Sequence, residues 1–316
     1  MPLTEITQEA RIHKKVLKLM GNRFEITVVS PDAAWAEESI DKAVEEIRRI
    51  EELLTTFKDS SQTNLINRNA GITAVKVDKE VFDIIQRSIK ISALTQGAFD
   101  ITYGSIDKRF WNLDTNMTAL PDKKLAKQSV RLINYRNVIL DNKNCTVFLK
   151  EKGMRIGFGG IGKGYAADRA KFILQQQGVA SGVVNAAGDL ITWGTQADGK
   201  PWSVAIADPN AQHHPFSYLN ISDMAVATSG NYEKYAVIKG KKYSHTIDPK
   251  TGFPVSGIKS VTVICPAAEL ADAMATPVMV MGIRTGLDLI NQIKGIACII
   301  IDDHDKLYTS SNIKIR

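Results

Sequence analysis

Cysteine is scarce in this sequence, and it is not arranged for metal binding. The three cysteines (Cys145, Cys265 and Cys298) are far apart and form no C-x-x-C pair. Such spacing excludes the common zinc-site and redox motifs. Each cysteine lies in an apolar, strand-like segment, so we expect buried thiols. Cysteine use therefore does not identify the cellular compartment.

Long hydrophobic runs are also absent. No apolar stretch approaches the roughly eighteen residues of a membrane-spanning helix. The N-terminal residues lack the continuous apolar segment of a signal peptide. We therefore expect either a cytoplasmic protein or one whose targeting segment is missing from this chain.

Charge of one sign is not concentrated anywhere. The formal net charge is +6 over 316 residues, and the Lys and Arg residues are scattered. A nucleic-acid-binding protein more often has a basic face with interleaved aromatic residues, so nucleic acid is not an expected partner. An anionic small ligand, an acidic membrane surface or chance would each explain the excess. Hydrophobic residues make up 44% of the chain, as in a soluble globular protein.

Glycine, in contrast, is concentrated in one stretch, residues 155–170. Five glycines fall within eight residues there: Gly157, Gly159, Gly160, Gly162 and Gly164. A helix-like segment follows at once, and a glycine-rich loop before a helix N-terminus is suited to hold a phosphate or pyrophosphate. Lys163 adds a positive charge within the stretch.

The same stretch almost matches a Walker A loop, G-x-x-x-x-G-K-[ST]. The final position fails, because Gly164 has no hydroxyl for Mg²⁺. The preceding residues also read as a hairpin and not as the first strand of a parallel sheet. We therefore disfavour a nucleoside triphosphatase, and a glycine-rich turn without a ligand stays as the alternative.

Apolar periodicity predicts several helices. Residues 32–57 have apolar residues at helical spacing behind a possible N-cap, Asp32. Residues 79–95 repeat the pattern, a shorter helix is indicated near 122–128, and a last helix is expected after Pro266.

The remaining segments predict short strands and loops. Residues 1–15 read as a flexible leader, 16–30 as a strand pair or one bulged strand, and 58–71 as a polar loop. Short strands joined by turns dominate the second half of the chain. Early helices and later hairpins favour an α+β fold with antiparallel sheet and flanking helices. We expect one domain over residues 16–316, with two lobes as an alternative arrangement.

A histidine precedes a tight turn at residues 244–252. His245 ends a predicted strand, and the Asp248-Pro249-x-x-Gly252 turn can hold it rigidly. Because the pKa of histidine lies near working pH, His245 could act as a general base. The alternative is a strand-end histidine hydrogen-bonded to backbone.

Two oxygen-bearing side chains share a face of the last predicted helix. Asp272 and Thr276 are four residues apart, and a carboxylate with a hydroxyl suits a hard cation such as Mg²⁺. Pro277 cannot donate to the carbonyl of Ala273, which frees another acceptor nearby. The alternative is an Asp favoured by the helix dipole. A polar turn at residues 227–232 could line a pocket.

Taken in order, several segments resemble the signature blocks of the ApbE family, the FAD:protein FMN transferases. The N-terminal blocks are LMGNRFEI (19–26), LLTTFKDSSQTNLINRNAG (53–71) and TQGAFDIT (95–102). The later blocks are GGIGKGYAAD (159–168), NAAGD (185–189), ATSGNY (227–232), SHTIDPKTGFPV (244–255) and ADAMATPVMVMG (271–282). The resemblance covers about residues 16–316 and implies an ApbE-like, T-fold-like domain.

The resemblance implies an activity and a set of site residues. Family members bind FAD and Mg²⁺, cleave the pyrophosphate, release AMP and attach FMN through a phosphoester to a Thr or Ser of an acceptor protein. The implied FAD contacts are Met20, Phe57, Ala98, Phe99, Asp100, Gly157, Lys163, Thr228, Ser229 and His245. The implied metal contacts are Gly160, through its carbonyl, with Asp272, Ala275 and Thr276. His245 would be the base that activates the acceptor hydroxyl.

Two positions depart from the family pattern. Gly157 stands where many members have an acidic residue, and Ala187 replaces a glycine. Asp189 could supply the contact that Gly157 lacks. An FAD pyrophosphatase that gives FMN and AMP, or a non-catalytic FAD-binding protein, are therefore alternative functions. Relatives are mostly periplasmic lipoproteins, and known acceptors include flavin subunits of membrane redox complexes, which implies membrane anchoring through a segment not in this chain.

Overall fold

The computed structural model describes residues 9–107, 119–208, 211–230, 235–238 and 240–313. The helices in these ranges are α1 (Ala33–Leu54), α2 (Gln62–Arg68), α3 (Lys79–Leu94), α4 (Lys123–Ser129), α5 (Gly162–Gln176), α6 (Ala268–Met281) and α7 (Ile283–Asn291). The strands are β1 (Arg11–Leu19), β2 (Asn22–Ser30), β3 (Val75–Lys76), β4 (Val138–Asp141), β5 (Thr146–Leu149), β6 (Gly182–Ala186), β7 (Asp189–Trp193), β8 (Trp202–Asp208), β9 (Ala211–Ile221), β10 (Ala225–Gly230), β11 (Tyr235–Ile238), β12 (Lys241–Ser244), β13 (Ile258–Cys265), β14 (Ala297–Asp302) and β15 (Leu307–Thr309).

An antiparallel sheet of eight strands forms the centre of the fold. Its strand order is β1-β2-β6-β7-β10-β13-β14-β15. Smaller antiparallel sheets are formed by β3-β5-β4, by β8-β9 and by β11-β12. The expected α+β class with antiparallel sheet and flanking helices is therefore confirmed.

The first hairpin shows how a two-residue turn sets the sheet edge. Met20 and Gly21 have φ values of 51° and 72°. Positive φ at both turn positions matches the right-handed twist of the flanking strands.

Strand β1 already begins at Arg11 and pairs with β2 along its whole length, so the predicted leader 1–15 was wrong for residues 11–15. The alternating charged residues of β1 hid its strand pattern. Residues 1–8 lie outside the described ranges.

The predicted long helices are present, and their caps explain where they start. The Asp32 side chain accepts a hydrogen bond from the Trp35 N–H at the start of α1. Asp122 caps α4 in the same way. Two helices were missed: α2 lies in the predicted polar loop 58–71, and α7 follows α6. Helix α2 follows its Ser61 cap and has only 7 residues, which is too short for a periodic apolar signal.

Three helices cover one face of the main sheet. Buried residues from α1, α5 and α6 join those of the central strands in one core cluster, which also includes residues of α3 and β5. On the other face, a smaller cluster forms beneath β8 and β9, with Val204, Leu219 and Ile221 against Ile264 and Ile299. No helix in the described part of the chain has the length and apolarity needed to cross a membrane.

The turn between β6 and β7 places an alanine in an unfavourable conformation. Ala186 pairs with Asp189, which leaves Ala187 and Gly188 as the two turn residues. Their φ values are 59° and 100°. A residue with a Cβ costs roughly 1–2 kcal/mol in the left-handed region, so glycine would suit position 187 better than alanine does.

We expect Ala187→Gly to raise the free energy of unfolding by up to about 1 kcal/mol, because relief of strain exceeds the added entropy of the unfolded chain. Urea unfolding with an unchanged m-value would measure this gain. Ala186→Gly is the matched control, since Ala186 lies buried in β6 and its substitution should lower stability. A variant Ala187→Gly less stable than the parent would contradict the strain argument.

Candidate active site

The glycine-rich stretch forms a loop that leads directly into α5, as predicted. The loop, residues 157–161, ends where α5 begins at Gly162. Gly164 lies against α6: a Cβ built on it would be 2.1 Å from the carbonyl oxygen of Ala268. The close approach of α5 and α6 explains why the position that would carry a Walker A hydroxyl is a glycine.

Lys163, in the first turn of α5, lies between two buried carboxylates. Its Nζ is 2.7 Å from Oδ2 of Asp189 and 3.1 Å from Oδ1 of Asp272. The other oxygen of Asp272 accepts a hydrogen bond from the Gly164 N–H at 3.0 Å. Strand β7 supplies Asp189 and helix α6 supplies Asp272, so three elements converge on one charge cluster.

Burial and charge act in opposite directions within this cluster. Burial alone would lower the pKa of Lys163, but attraction from Asp272 and Asp189 raises it above its ordinary value. Burial raises the pKa of Asp189 to about 6, and repulsion from Asp272 adds to the rise. Lys163 therefore stays charged at neutral pH. A positive charge held this way can neutralise an anionic ligand.

Strand β10 brings one predicted residue next to α6 and another next to Asp189 of β7. The Ser229 hydroxyl is 3.3 Å from the Thr276 hydroxyl, and the Thr228 N–H donates to Oδ1 of Asp189 at 3.3 Å. Residues 225–230 form a strand paired with β13, so the prediction of a polar turn there was wrong. Pairing with β13 continues through the small polar residues. Asn231 and Tyr232 lie outside the described residues.

Two residues predicted to contact FAD lie beside the glycine-rich stretch. A Cβ built on Gly162 would be 3.7 Å from Cε of Met20, and one built on Gly160 would be 3.5 Å from Cε2 of Phe99. The Met20 N–H donates to Oε2 of Glu51 at 2.9 Å, which fixes the hairpin turn against α1. The hairpin, the end of α3 and the loop therefore border one site.

Asp100 has a structural use in the fold. Its Oδ1 accepts from the Thr102 N–H and hydroxyl, and its Oδ2 accepts from the Tyr135 N–H. Burial raises the pKa of Asp100. These three bonds hold the turn that carries the buried residues Ala98 and Phe99. The predicted contact of Asp100 with FAD stays a prediction.

Two predicted residues have exposed side chains. Phe57, between α1 and α2, is 97% exposed, which is unusual for a large aromatic residue. His245 follows β12 directly and precedes a single bridge between Ile247 and Pro254. The Asp248 turn after it is closed as predicted, since the Gly252 N–H donates to the Asp248 carbonyl at 2.9 Å.

Sequence reasoning missed the role of Asp168. Its two carboxylate oxygens accept from the N–H groups of Ala268 and Glu269, each at 2.9 Å. A side chain from α5 thus caps the N-terminus of α6 and fixes the distance between Lys163 and Asp272. The only sequence signal was its place at the end of the GYAAD block.

The predicted metal contacts offer oxygen atoms, the donor type that a hard cation such as Mg²⁺ prefers. Buried Asp272, the Thr276 hydroxyl and the backbone carbonyls of Gly160 and Ala275 are all oxygen donors. Pro277 lies within α6, which leaves the Ala273 carbonyl without its usual donor. Across the described ranges, no three His, Cys, Asp or Glu side chains gather as a metal-binding group. A cation here would therefore need hydroxyl and carbonyl oxygens beside the carboxylates.

Comparison with known proteins finds relatives of one family over almost the whole chain. The model of the ApbE family matches residues 20–300. An FAD:protein FMN transferase of Klebsiella pneumoniae (strain 342) is 31% identical over 308 residues, which covers 97% of this chain and 94% of the relative. The FAD:protein FMN transferase of Escherichia coli (strain K12) is 28% identical and covers 90% and 82%.

Solved structures give the same result. The ApbE protein from Thermotoga maritima superposes with a TM-score of 0.84 at 30% identity, covering 95% of this chain and 97% of that one. The apo form of the flavinyl transferase ApbE from Pseudomonas stutzeri superposes with a TM-score of 0.81 at 26% identity, covering 98% and 96%.

Proposed function

Because the chain belongs to the ApbE family, we propose that it transfers FMN from FAD to a Thr or Ser hydroxyl of an acceptor flavoprotein, with Mg²⁺ and with release of AMP. The chain is an enzyme of the flavin transferase class, as its relatives are named FAD:protein FMN transferase and flavinyl transferase. The observation that carries the proposal is the position of Lys163, within the glycine-rich stretch and between the buried carboxylates of Asp189 and Asp272.

The pyrophosphate of FAD would lie on the glycine-rich loop and the start of α5. The helix dipole favours an anion at the N-terminus of α5. The Gly164 N–H there already donates to Asp272, so the charge of Lys163 would supply most of the attraction. The Lys163 ammonium would offset charge that builds up on the pyrophosphate oxygens as the bond breaks. Its two carboxylate partners hold it in place before the substrate arrives.

Magnesium fits the oxygen donors of Gly160, Asp272, Ala275 and Thr276. When bound, it would neutralise charge on the pyrophosphate oxygens. Asp168 contributes indirectly, because it fixes the N-terminus of α6, and Ser229 lies within reach of the Thr276 hydroxyl.

His245 would take the proton from the acceptor hydroxyl. The hydroxyl oxygen then forms a bond to the phosphorus of the FMN half, while the bond from that phosphorus to the bridging oxygen breaks and AMP leaves. The exposed position of His245 suits this role, since the nucleophile comes from another protein. The rigid Asp248 turn that follows limits how far the histidine can move.

Aromatic and sulfur-containing side chains would hold the ring systems of FAD. Phe99 and Met20 border the glycine-rich stretch, and Phe57 offers a fully exposed ring for stacking. Flavin subunits of membrane redox complexes as acceptors, and action in the periplasm at a membrane, are part of this proposal through the family resemblance.

The proposal is tested with purified protein, FAD, Mg²⁺ and an acceptor protein that carries a threonine in a flavinylation motif. We expect the acceptor to gain the mass of FMN and an equal amount of AMP to appear. Intact-mass spectrometry and nucleotide chromatography measure the two products. Free FMN with AMP and no labelled acceptor would indicate a pyrophosphatase, and unchanged bound FAD would indicate a binding protein.

His245→Ala should slow FMN transfer by about 10²- to 10⁴-fold, the usual contribution of a general base. FAD affinity, measured by quenching of flavin fluorescence, should fall far less than the transfer rate, because His245 is one of ten predicted FAD contacts. His304→Ala is the matched control, since His304 lies in the turn between β14 and β15 and is not a predicted site residue. Undiminished transfer by His245→Ala would refute the assignment of the base.

A further inference from the structure

A second concave surface lies beside the candidate active site. This cleft has a volume of about 900 Å³ and is bordered by the end of α3, by α4, by residues 130–136 and by the turn at Pro249 and Lys250. Five cationic side chains of the described residues line it: Lys124, Lys127, Arg131, Arg136 and Lys250. We call this surface the basic cleft.

The positive charge of the basic cleft is mostly uncompensated. Among the described residues that line it, Asp100 is the one carboxylate, and its oxygens already accept three hydrogen bonds. Arg131 forms an ion pair with Glu151 at 3.4 Å. For the other four cations, the described part of the chain provides no carboxylate at ion-pair distance. A strong positive potential therefore remains for an external anion.

Both walls of the cleft are close in sequence to predicted site residues. Gln96 and Gly97 directly precede Ala98 and Phe99, and Pro249 and Lys250 follow His245 by four and five residues. The walls also meet, since a Cβ built on Gly97 would be 3.9 Å from both Cε of Lys250 and Cε1 of Tyr135. A chain bound in the cleft would therefore lie next to the predicted base.

The cleft is held in shape by hydrogen bonds. Lys127 donates from Nζ to the carbonyl of Lys250 at 2.8 Å, which ties α4 to the Asp248 turn. The Tyr135 N–H donates to Asp100 on the opposite wall at 2.9 Å. A preformed surface lowers the entropic cost of binding.

Exposure distinguishes these cations from the one at the candidate active site. All five are exposed, whereas Lys163 is half-buried and paired with two buried carboxylates. Exposed, solvated charges make association fast and sensitive to salt, and such side chains stay largely solvated in the complex. Transient protein complexes have these properties. A tightly held nucleotide phosphate would instead favour a buried cation.

We infer that the basic cleft docks an acidic segment of the acceptor protein and so presents the acceptor hydroxyl to His245. The inference rests on the proposed function, because only a protein acceptor needs a surface beyond the FAD site. Asp and Glu side chains flanking the acceptor residue would pair with Lys124, Arg136 and Lys250.

Two charge-reversal variants test the inference. Lys124→Glu/Lys250→Glu changes the cleft at two exposed side chains. Lys143→Glu/Lys294→Glu changes net charge equally at exposed lysines outside the cleft. The probe is a fluorescein-labelled peptide with aspartates around one threonine, and its twin has asparagine in their place. Fluorescence anisotropy at low salt measures binding, and circular dichroism confirms that each variant is folded.

We expect the parent protein to bind the aspartate peptide about tenfold more tightly than the asparagine peptide, since complementary charges favour association. The cleft variant should lose this preference, and the control variant should keep it. Equal binding of the aspartate peptide by both variants, or no preference in the parent, would overturn the inference.

FAD binding separates a nucleotide subsite from a protein-docking surface. Flavin fluorescence should show the same FAD affinity in the parent and in the cleft variant. Loss of FAD affinity in the cleft variant, together with displacement of the peptide by FAD, would assign the cleft to the nucleotide and overturn the inference. The peptide-binding measurements do not require enzymatic turnover. An absence of FMN transfer by the parent protein would therefore count against the proposed function alone.

Discussion

Replacing Gly164 with serine, which completes the Walker A pattern, is expected to destabilise the protein severely. The new Cβ would be 2.1 Å from the Ala268 carbonyl oxygen and 2.5 Å from its carbon, both backbone atoms. Helices α5 and α6 would have to separate, which weakens the bonds from Ala268 and Glu269 to Asp168. We expect the free energy of unfolding to fall by about 3 kcal/mol or more. Urea unfolding measures the loss.

The same substitution elsewhere in the stretch provides the control. A Cβ built on Gly157 meets no atom within 4 Å, and its φ is not in the left-handed region. Gly157→Ser should therefore unfold at nearly the same urea concentration as the parent. Equal stability of Gly164→Ser and Gly157→Ser would show that α5 and α6 do not pack as closely at Gly164 as the structure indicates.

Asp272→Asn is expected to remove most of the activity while the fold is kept. The amide is nearly the same shape and its oxygen can still accept from the Gly164 N–H. The variant loses the negative charge of Asp272. That charge pairs with the Lys163 ammonium and would also bind a cation. We expect the rate of FMN transfer to fall by about a hundredfold or more, as for the loss of one preorganised charge at a reacting centre. Mass spectrometry of the acceptor over a range of Mg²⁺ concentrations measures it.

A second acidic residue on α6 controls for a general loss of charge. Glu269 pairs with Arg87 and is not among the predicted metal contacts. Glu269→Gln should leave the transfer rate within a few-fold of the parent. Full turnover by Asp272→Asn at the parent's Mg²⁺ requirement would show that Asp272 is not a metal ligand.

Local patterns predicted the long elements well, because their signals extend over many residues. The apolar repeat of α1 and its Asp32 cap were both readable, and the strand alternation in the second half predicted an antiparallel sheet. Short elements such as α2 and the polar start of β1 carry too few apolar residues for a periodic signal. Their structure depends on packing against distant parts of the chain.

The candidate site was predictable in its residues more than in its contacts. The glycine-rich stretch and the four-residue spacing of Asp272 and Thr276 pointed to an anion and a cation. The sandwich of Lys163 between Asp189 and Asp272 was not readable, because it joins residues more than twenty and more than one hundred positions apart. Four of the five cations of the basic cleft lie close together in the sequence, within residues 124–136, but only the fold shows that they line a concave surface together with Lys250.

The narrow gap between α5 and α6 also limits how this sequence can change over time. A substitution that would make the glycine-rich stretch match a nucleoside-triphosphate motif is blocked by backbone atoms and not by any loss of activity. Only the residue without a side chain fits at position 164. The narrow gap therefore excludes substitutions at position 164 for steric reasons. As a result, this loop cannot acquire the serine or threonine of the Walker A loops that its sequence resembles.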